Sequence, residues 1–200
     1  IEDIMYTFDK NFLRLNNLIS LYKTMAAGQG RKPANSLDIL RATTVLTHAT
    51  LEDYLRNLLQ WRLPHQDRDK IENIPLVGTS AIAGFKIQSG VVVAHKNKRI
   101  DTVIKESIAE YLGILSFNDT TDIAKALSSI TLIVTPEIRD LFPVINEMIK
   151  GRHKIVHRAD REDVTGSGHH SITSISVQKV EKWKRAIDQL VFEINKNFIS

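Results

Sequence analysis

The chain has no cysteine in its 200 residues. That excludes disulfides, thiolate nucleophiles and cysteine-type zinc or iron–sulfur centres. It also fits an intracellular, cytoplasmic protein. No apolar run approaches the roughly 18 residues of a membrane span, and the N-terminus lacks a basic region followed by an apolar one. Long Lys/Arg blocks are missing too. The net charge of +4 tolerates a polyanionic partner, but it draws no obvious nucleic-acid footprint. There is no glycine-rich phosphate loop, internal repeat or low-complexity segment. Aromatics are few, and Trp61, Trp183, Phe12 and Tyr22 are spaced as core or interface residues rather than as a base-stacking platform. The chain opens on Ile1 rather than Met, as expected of a piece of a longer protein.

What is present is helical. With 42% hydrophobic and 25% charged residues, the composition is that of an ordinary globular protein with enough chain for a core. Ile4, Phe8, Phe12, Leu15, Ile19, Tyr22 and Ala26 recur in steps of three and four, which predicts a helix over 2–26. After a polar loop, Asn35 or Ser36 can cap a second helix running to about Arg62, with Leu40, Thr44, Thr47, Leu51, Leu55 and Leu58 on one side and Pro64 ending it. Helices so joined should pack antiparallel. Residues 64–134 read as an insertion of short helices and irregular chain. Within it, Val91–Val93 is the only strand-like run, and Asp101 and Asp119 or Thr120 are candidate caps. Thr135-Pro136 is a helix start, Pro143 marks a kink or restart, and the helix then runs to about Ala159. Ser176 can cap a last helix with Val180, Trp183, Ile187, Leu190, Ile194 and Phe198 as its stripe.

The unusual stretch is Val144–Asp160, VINEMIKGRHKIVHRAD. At about 100° per residue, Ile145, Ile149 and Val156 share a stripe and Arg152 falls in its middle. A buried guanidinium left unpaired costs several kcal/mol, so Arg152 needs a carboxylate, a bound anion or a wet groove. His153 and His157 lie one turn apart beside it, with Asp160 beyond. Arg41 and His48 match a looser, six-residue form of the same Arg–His spacing.

The string RHKIVHRAD, followed by a polar loop and a terminal amphipathic helix, resembles the HEPN superfamily, closest to its RiboL-PSP-associated group. LEDYLRNLL at 51–59 is similar to that family's second helix. The likeness covers roughly 1–62 and 135–200. It implies an all-α fold, a four-to-five-helix up-down bundle forming a single domain over 1–200, with the 64–134 segment inserted. It also implies a metal-independent endoribonuclease, without cofactor, working as a homodimer that brings two motifs to one cleft. In that reading the enzyme is a toxin or antiviral-defence effector, with an antitoxin or another defence-system domain as partner. The implied catalytic residues are Arg152, His157 and His153. A neutral imidazole can take a proton from a ribose 2′-hydroxyl, and a guanidinium can hold the phosphate as charge develops. Arg152 and His157 stand about 140° apart on a straight helix, which favours a composite site across a dimer. Asp160 would orient a histidine. The alternative is a non-catalytic HEPN-like dimerisation or nucleotide- or protein-binding module, in which Arg152 pairs with a buried carboxylate such as Glu52.

The remaining candidates are weaker. His153 and His157 have a zinc-ligand spacing, but Lys154 stands where a zinc protease needs Glu, and no metal site is expected. Lys96, Lys98 and Arg99, with Lys154 and Arg158, are candidate contacts to RNA backbone. Glu52 has two readings, turned inward near Arg152 or on a solvated face. His169-His170 read as a solvated loop.

Overall fold

The helix expected to end before Pro64 is the axis of the molecule. The computed structural model describes residues 1–27, 34–79, 89–158 and 175–198. Their regular elements are α1 (Glu2–Met25), α2 (Ala34–Arg62), a 3-10 turn at Leu63–His65, α3 (Arg68–Ile71), α4 (Ser89–Ala94), α5 (Ile100–Ile114), α6 (Thr120–Ser129), α7 (Pro136–Arg158), α8 (Val177–Asn195) and a 3-10 turn at Lys196–Phe198. No strand occurs among the described residues. The fold is an all-α bundle.

All six stripe residues expected on α2, Leu40, Thr44, Thr47, Leu51, Leu55 and Leu58, are buried. The threonines are tolerated there because each hydroxyl bonds to its own helix. Thr43, Thr44, Thr47 and Thr50 donate to the carbonyls of Ile39, Leu40, Thr43 and Leu46 at 2.7–2.9 Å. α1 runs antiparallel along α2. Phe8 meets Tyr54 with ring centroids 5.6 Å apart, Asn11 donates to Asp53, and Arg14 and Leu15 line a groove with Leu46 and Ala49. α8 runs opposite to α1, with Lys184 bonded to Asn16 and Lys23 paired with Glu181. It follows the direction of α2, with Tyr54 donating to Asn195 and Trp61 meeting Phe198.

The segment between α2 and α7 supplies Ile108, Leu112, Phe117, Ile123 and Leu127 to the same core. Arg56 of α2 fastens it. Its guanidinium donates to the carbonyls of Leu112 and Leu115 at the end of α5, where helix carbonyls otherwise lack partners.

Several helix starts follow the sequence. The Asp119 carboxylate accepts from the amides of Thr121 and Asp122, and the Ser176 hydroxyl from that of Lys179. Thr135 Oγ1 accepts from Ile138, and α7 runs straight through Pro143 as one helix. Ser176→Ala should lower stability by about 1 kcal/mol, seen as a lower urea midpoint; no change would mean the cap is replaced by water.

Four expectations fail locally. Val91–Val93 lie in the short helix α4, not a strand. A strand needs a neighbour to satisfy its amides, whereas a helical turn satisfies its own. Asp101 is not the cap of α5: Arg99 holds that position and Asp101 lies in the first turn, where its charge also suits the helix dipole. α2 begins at Ala34, which puts Asn35 and Ser36 inside its first turn. Val156, expected on the apolar stripe of α7, is 48% exposed. Periodicity gives the face of a helix but not how far along it the core extends. No described helix is long and apolar enough to cross a membrane.

Candidate functional site

α7 enters the core through Ile138, Ile145, Met148 and Ile149, all buried. One residue before the motif it meets α8 at very close range. A Cβ added to Gly151 would lie 2.9 Å from Cη2 of Trp183, so only glycine lets the indole lie against the α7 backbone. The ring is fixed at its far end, where Nε1 donates to Glu147 Oε2 at 3.2 Å. Glu147 also receives Lys179 and Lys182 at 3.1 and 3.3 Å. Burial pushes the Glu147 carboxyl up, but hydrogen bonds from Lys179, Trp183 and Lys182 outweigh it and hold its pKa below the usual value. Gly151→Ala gains about 1 kcal/mol of helix propensity but must displace a wedged indole, so a net loss of about 1–3 kcal/mol is expected. The check is a urea melt; an unchanged or higher midpoint would mean the indole slides freely.

Beyond that contact the motif straddles the surface. Arg152 is half-buried, and its Nε lies out of solvent with no hydrogen-bond partner. Among the described residues no ion pair reaches it. His153 and His157 are exposed, their ring centroids 4.3 Å apart and their planes inclined by 43°. Lys154 is half-buried. Asp160, His169 and His170 lie outside the described residues, as does the side chain of Arg158, the last residue of α7.

The inner wall comes from α2, which packs on α7. Glu52 is neither fully inward nor solvated: its side chain is 23% exposed, and Oε2 lies 3.8 Å from Nδ1 of His48. His48 is buried, with Nε2 3.1 Å from the carbonyl of Phe117. Its pKa lies below the ordinary histidine value. Desolvation by burial lowers it most, the Phe117 carbonyl and Glu52 pull it back up, and Arg152 lowers it further. Arg152, His48 and Glu52 therefore share one electrostatic environment. His48 is the site residue that the spacing pattern misassigned. Its looser match with Arg41 is not a second site, since His48 is internal and Arg41 pairs with Asp38 at 3.0 Å. The signal was there, because Thr44, His48, Leu51 and Leu55 step by four, three and four along the buried face.

The basic cluster at 95–99 does not join this site as a free patch. Lys98 pairs with Glu106 at 2.6 Å and Arg99 with Asp101 at 3.3 Å, both within the start of α5, and Lys96 is exposed. Among the described residues no group of three or more acidic or histidine side chains could hold a metal ion. His153 and His157 are the one-turn pair that a metal could bridge, without a third ligand from that set.

A buried-face guanidinium beside two surface imidazoles on a penultimate long helix is the arrangement with which one family description agrees. The RiboL-PSP-HEPN family profile matches residues 9–199. The chain belongs to the RiboL-PSP-HEPN family. No curated protein and no solved structure matches it. In this HEPN domain, α2 and α7 together frame the Arg152 environment, and α8 locks α7 through Trp183.

Proposed function

We propose that this HEPN protein is a metal-independent endoribonuclease. His157 serves as general base toward a ribose 2′-hydroxyl and Arg152 holds the attacked phosphate. His153 contributes a further hydrogen bond at the phosphate. The 2′-oxygen attacks phosphorus, the 5′-oxygen leaves with a proton, and the products carry 2′,3′-cyclic phosphate and 5′-hydroxyl ends. The observation that carries the reading is the unpartnered Nε of half-buried Arg152 beside the exposed His153–His157 pair. A purely structural arginine would have a carboxylate at hydrogen-bond distance. A guanidinium kept available, next to groups that titrate near neutral pH, suits phosphate chemistry.

The separation of Arg152 and His157 around α7 favours a composite site, in which the homodimer sets the motif-bearing end of one protomer against that of its partner. Exposed Val156 gives that end an apolar contact. In the same reading Asp160 steadies a histidine, Lys154, Arg158 and Lys96 add backbone contacts to RNA, and the protein acts as a toxin or defence effector on cellular or invading RNA. The chain is read as one domain carrying its middle segment as an insertion.

The test is incubation of purified protein with structured RNA in EDTA, with product ends assigned by mass spectrometry. Cyclic-phosphate ends that form in EDTA and vanish with Arg152→Ala or His157→Ala support the proposal. RNA that stays intact with the wild type favours the non-catalytic binding module, and cleavage equal in wild type and variants would show a contaminating nuclease.

A further inference from the structure

Nε2 of His48 faces a carbonyl, which has no proton to give, so the 3.1 Å bond to Phe117 requires the proton on Nε2. A neutral ring then presents a bare lone pair at Nδ1. The nearest charged group to it, Glu52 Oε2, is 3.8 Å away and also only accepts. Two acceptors thus face each other without a donor, while Arg152, within electrostatic reach from α7, carries a buried Nε–H without an acceptor. The groups acting on His48 are Glu52 from its own helix, the Phe117 carbonyl from the α5–α6 connection and Arg152 from α7.

We propose that His48 is a positioning residue for the Arg152 site. The Phe117 carbonyl fixes it as the Nε2–H tautomer, and its Nδ1 lone pair, with the Glu52 carboxylate, steadies the Arg152 guanidinium in the orientation that meets phosphate. This rests on the endoribonuclease reading of the same site. It adds a consequence for pH. Protonating Nδ1 removes the acceptor, sets a second cation beside Arg152 and gives Glu52 a closer partner, so the guanidinium is no longer held. Two imidazoles must then be neutral for turnover, His157 as base and His48 as holder.

Two measurements decide the proposal. The first is NMR of protein labelled with ¹⁵N-histidine, comparing wild type with Arg152→Ala. The expected wild-type spectrum shows the Nε2–H tautomer for His48, and its titration moves to higher pH when Arg152 is removed. An Nδ1–H tautomer, or a His48 titration indifferent to Arg152, overturns the proposal whether or not the protein cuts RNA. The second is the acid limb of kcat/KM for wild type and His48→Gln, whose amide still donates to Phe117. Two required neutral groups give a logarithmic slope near two, falling to about one in the variant, with kcat reduced about tenfold or more. An unchanged slope and kcat in a folded variant overturns it. Wild-type protein that leaves RNA intact refutes the nuclease reading instead, and the NMR arm still decides the coupling of His48 to Arg152.

Discussion

Arg152→Ala is expected to lower RNA cleavage by about 10²–10³-fold, the usual effect of deleting a preorganised donor to a developing oxyanion. His157→Ala should cost about 10²–10⁴-fold, as loss of a general base does. Arg152→Lys should not restore the rate, because an ammonium keeps the charge but not the two-pronged hydrogen bonding of the planar guanidinium. The stability change separates catalysis from scaffolding. No ion pair reaches Arg152 among the described residues, so its removal should shift the melting temperature by only a few degrees. A buried ion pair broken on one side would cost about 3–5 kcal/mol. Complementation tests the composite site directly. If each site takes Arg152 from one protomer and His157 from the other, mixing the two inactive variants creates a mixed dimer with one intact site and one dead one. At random pairing about a quarter of wild-type activity should return. A mixture that stays inactive would place both groups in a single protomer.

Trp183→Ala carries the largest expected loss of stability, about 3–5 kcal/mol. The indole is buried, it fills the space left by the missing Cβ of Gly151, and its N–H is spent on Glu147. Alanine opens a void between α7 and α8 and releases the turn immediately before Arg152. A fall of several degrees in melting temperature should therefore come with loss of cleavage even where the variant remains folded. Trp183→Phe, which keeps an aromatic ring but leaves Glu147 without the indole hydrogen bond, should fall between the two. A melting temperature unchanged in Trp183→Ala would mean that the α7–α8 contact is not what holds the motif in place.

pH adds an independent check on His48. Its folded pKa is depressed, so the unfolded chain binds a proton first as acid is added. The contribution to stability is complete above pH about 6.5, the unfolded value, and is lost as pH falls from there through the folded pKa. Melting temperatures in that window should drop for the wild type and drop less for His48→Gln.

The long helices were legible because their apolar positions repeat at the helical period and their ends carry chemical punctuation. The α2 stripe, the Ser176 cap and the Thr135-Pro136 start all rest on contacts within a few residues, which a sequence spells out. What was not legible depends on neighbours far along the chain. His48 reads as half of a spurious Arg–His motif until the Phe117 carbonyl, 69 residues away, gives its ring a partner. Val156 belongs to an apolar stripe by angle and is nonetheless exposed, because the reach of the core along α7 is a property of the packed helices. Glu52 kept two readings for the same reason, and its place beside His48 lies between them.

The clamp of Arg56 on the end of α5 and the anchoring of Phe117 have a consequence for engineering. Trimming residues 64–134 to leave a minimal bundle would strip the lining of the Arg152 chamber from behind, taking away Phe117 and leaving a guanidinium, an imidazole and several leucines of α2 facing water. The middle of the chain is thus the back wall of the chamber, and a shortened version of this protein should precipitate rather than cut RNA faster.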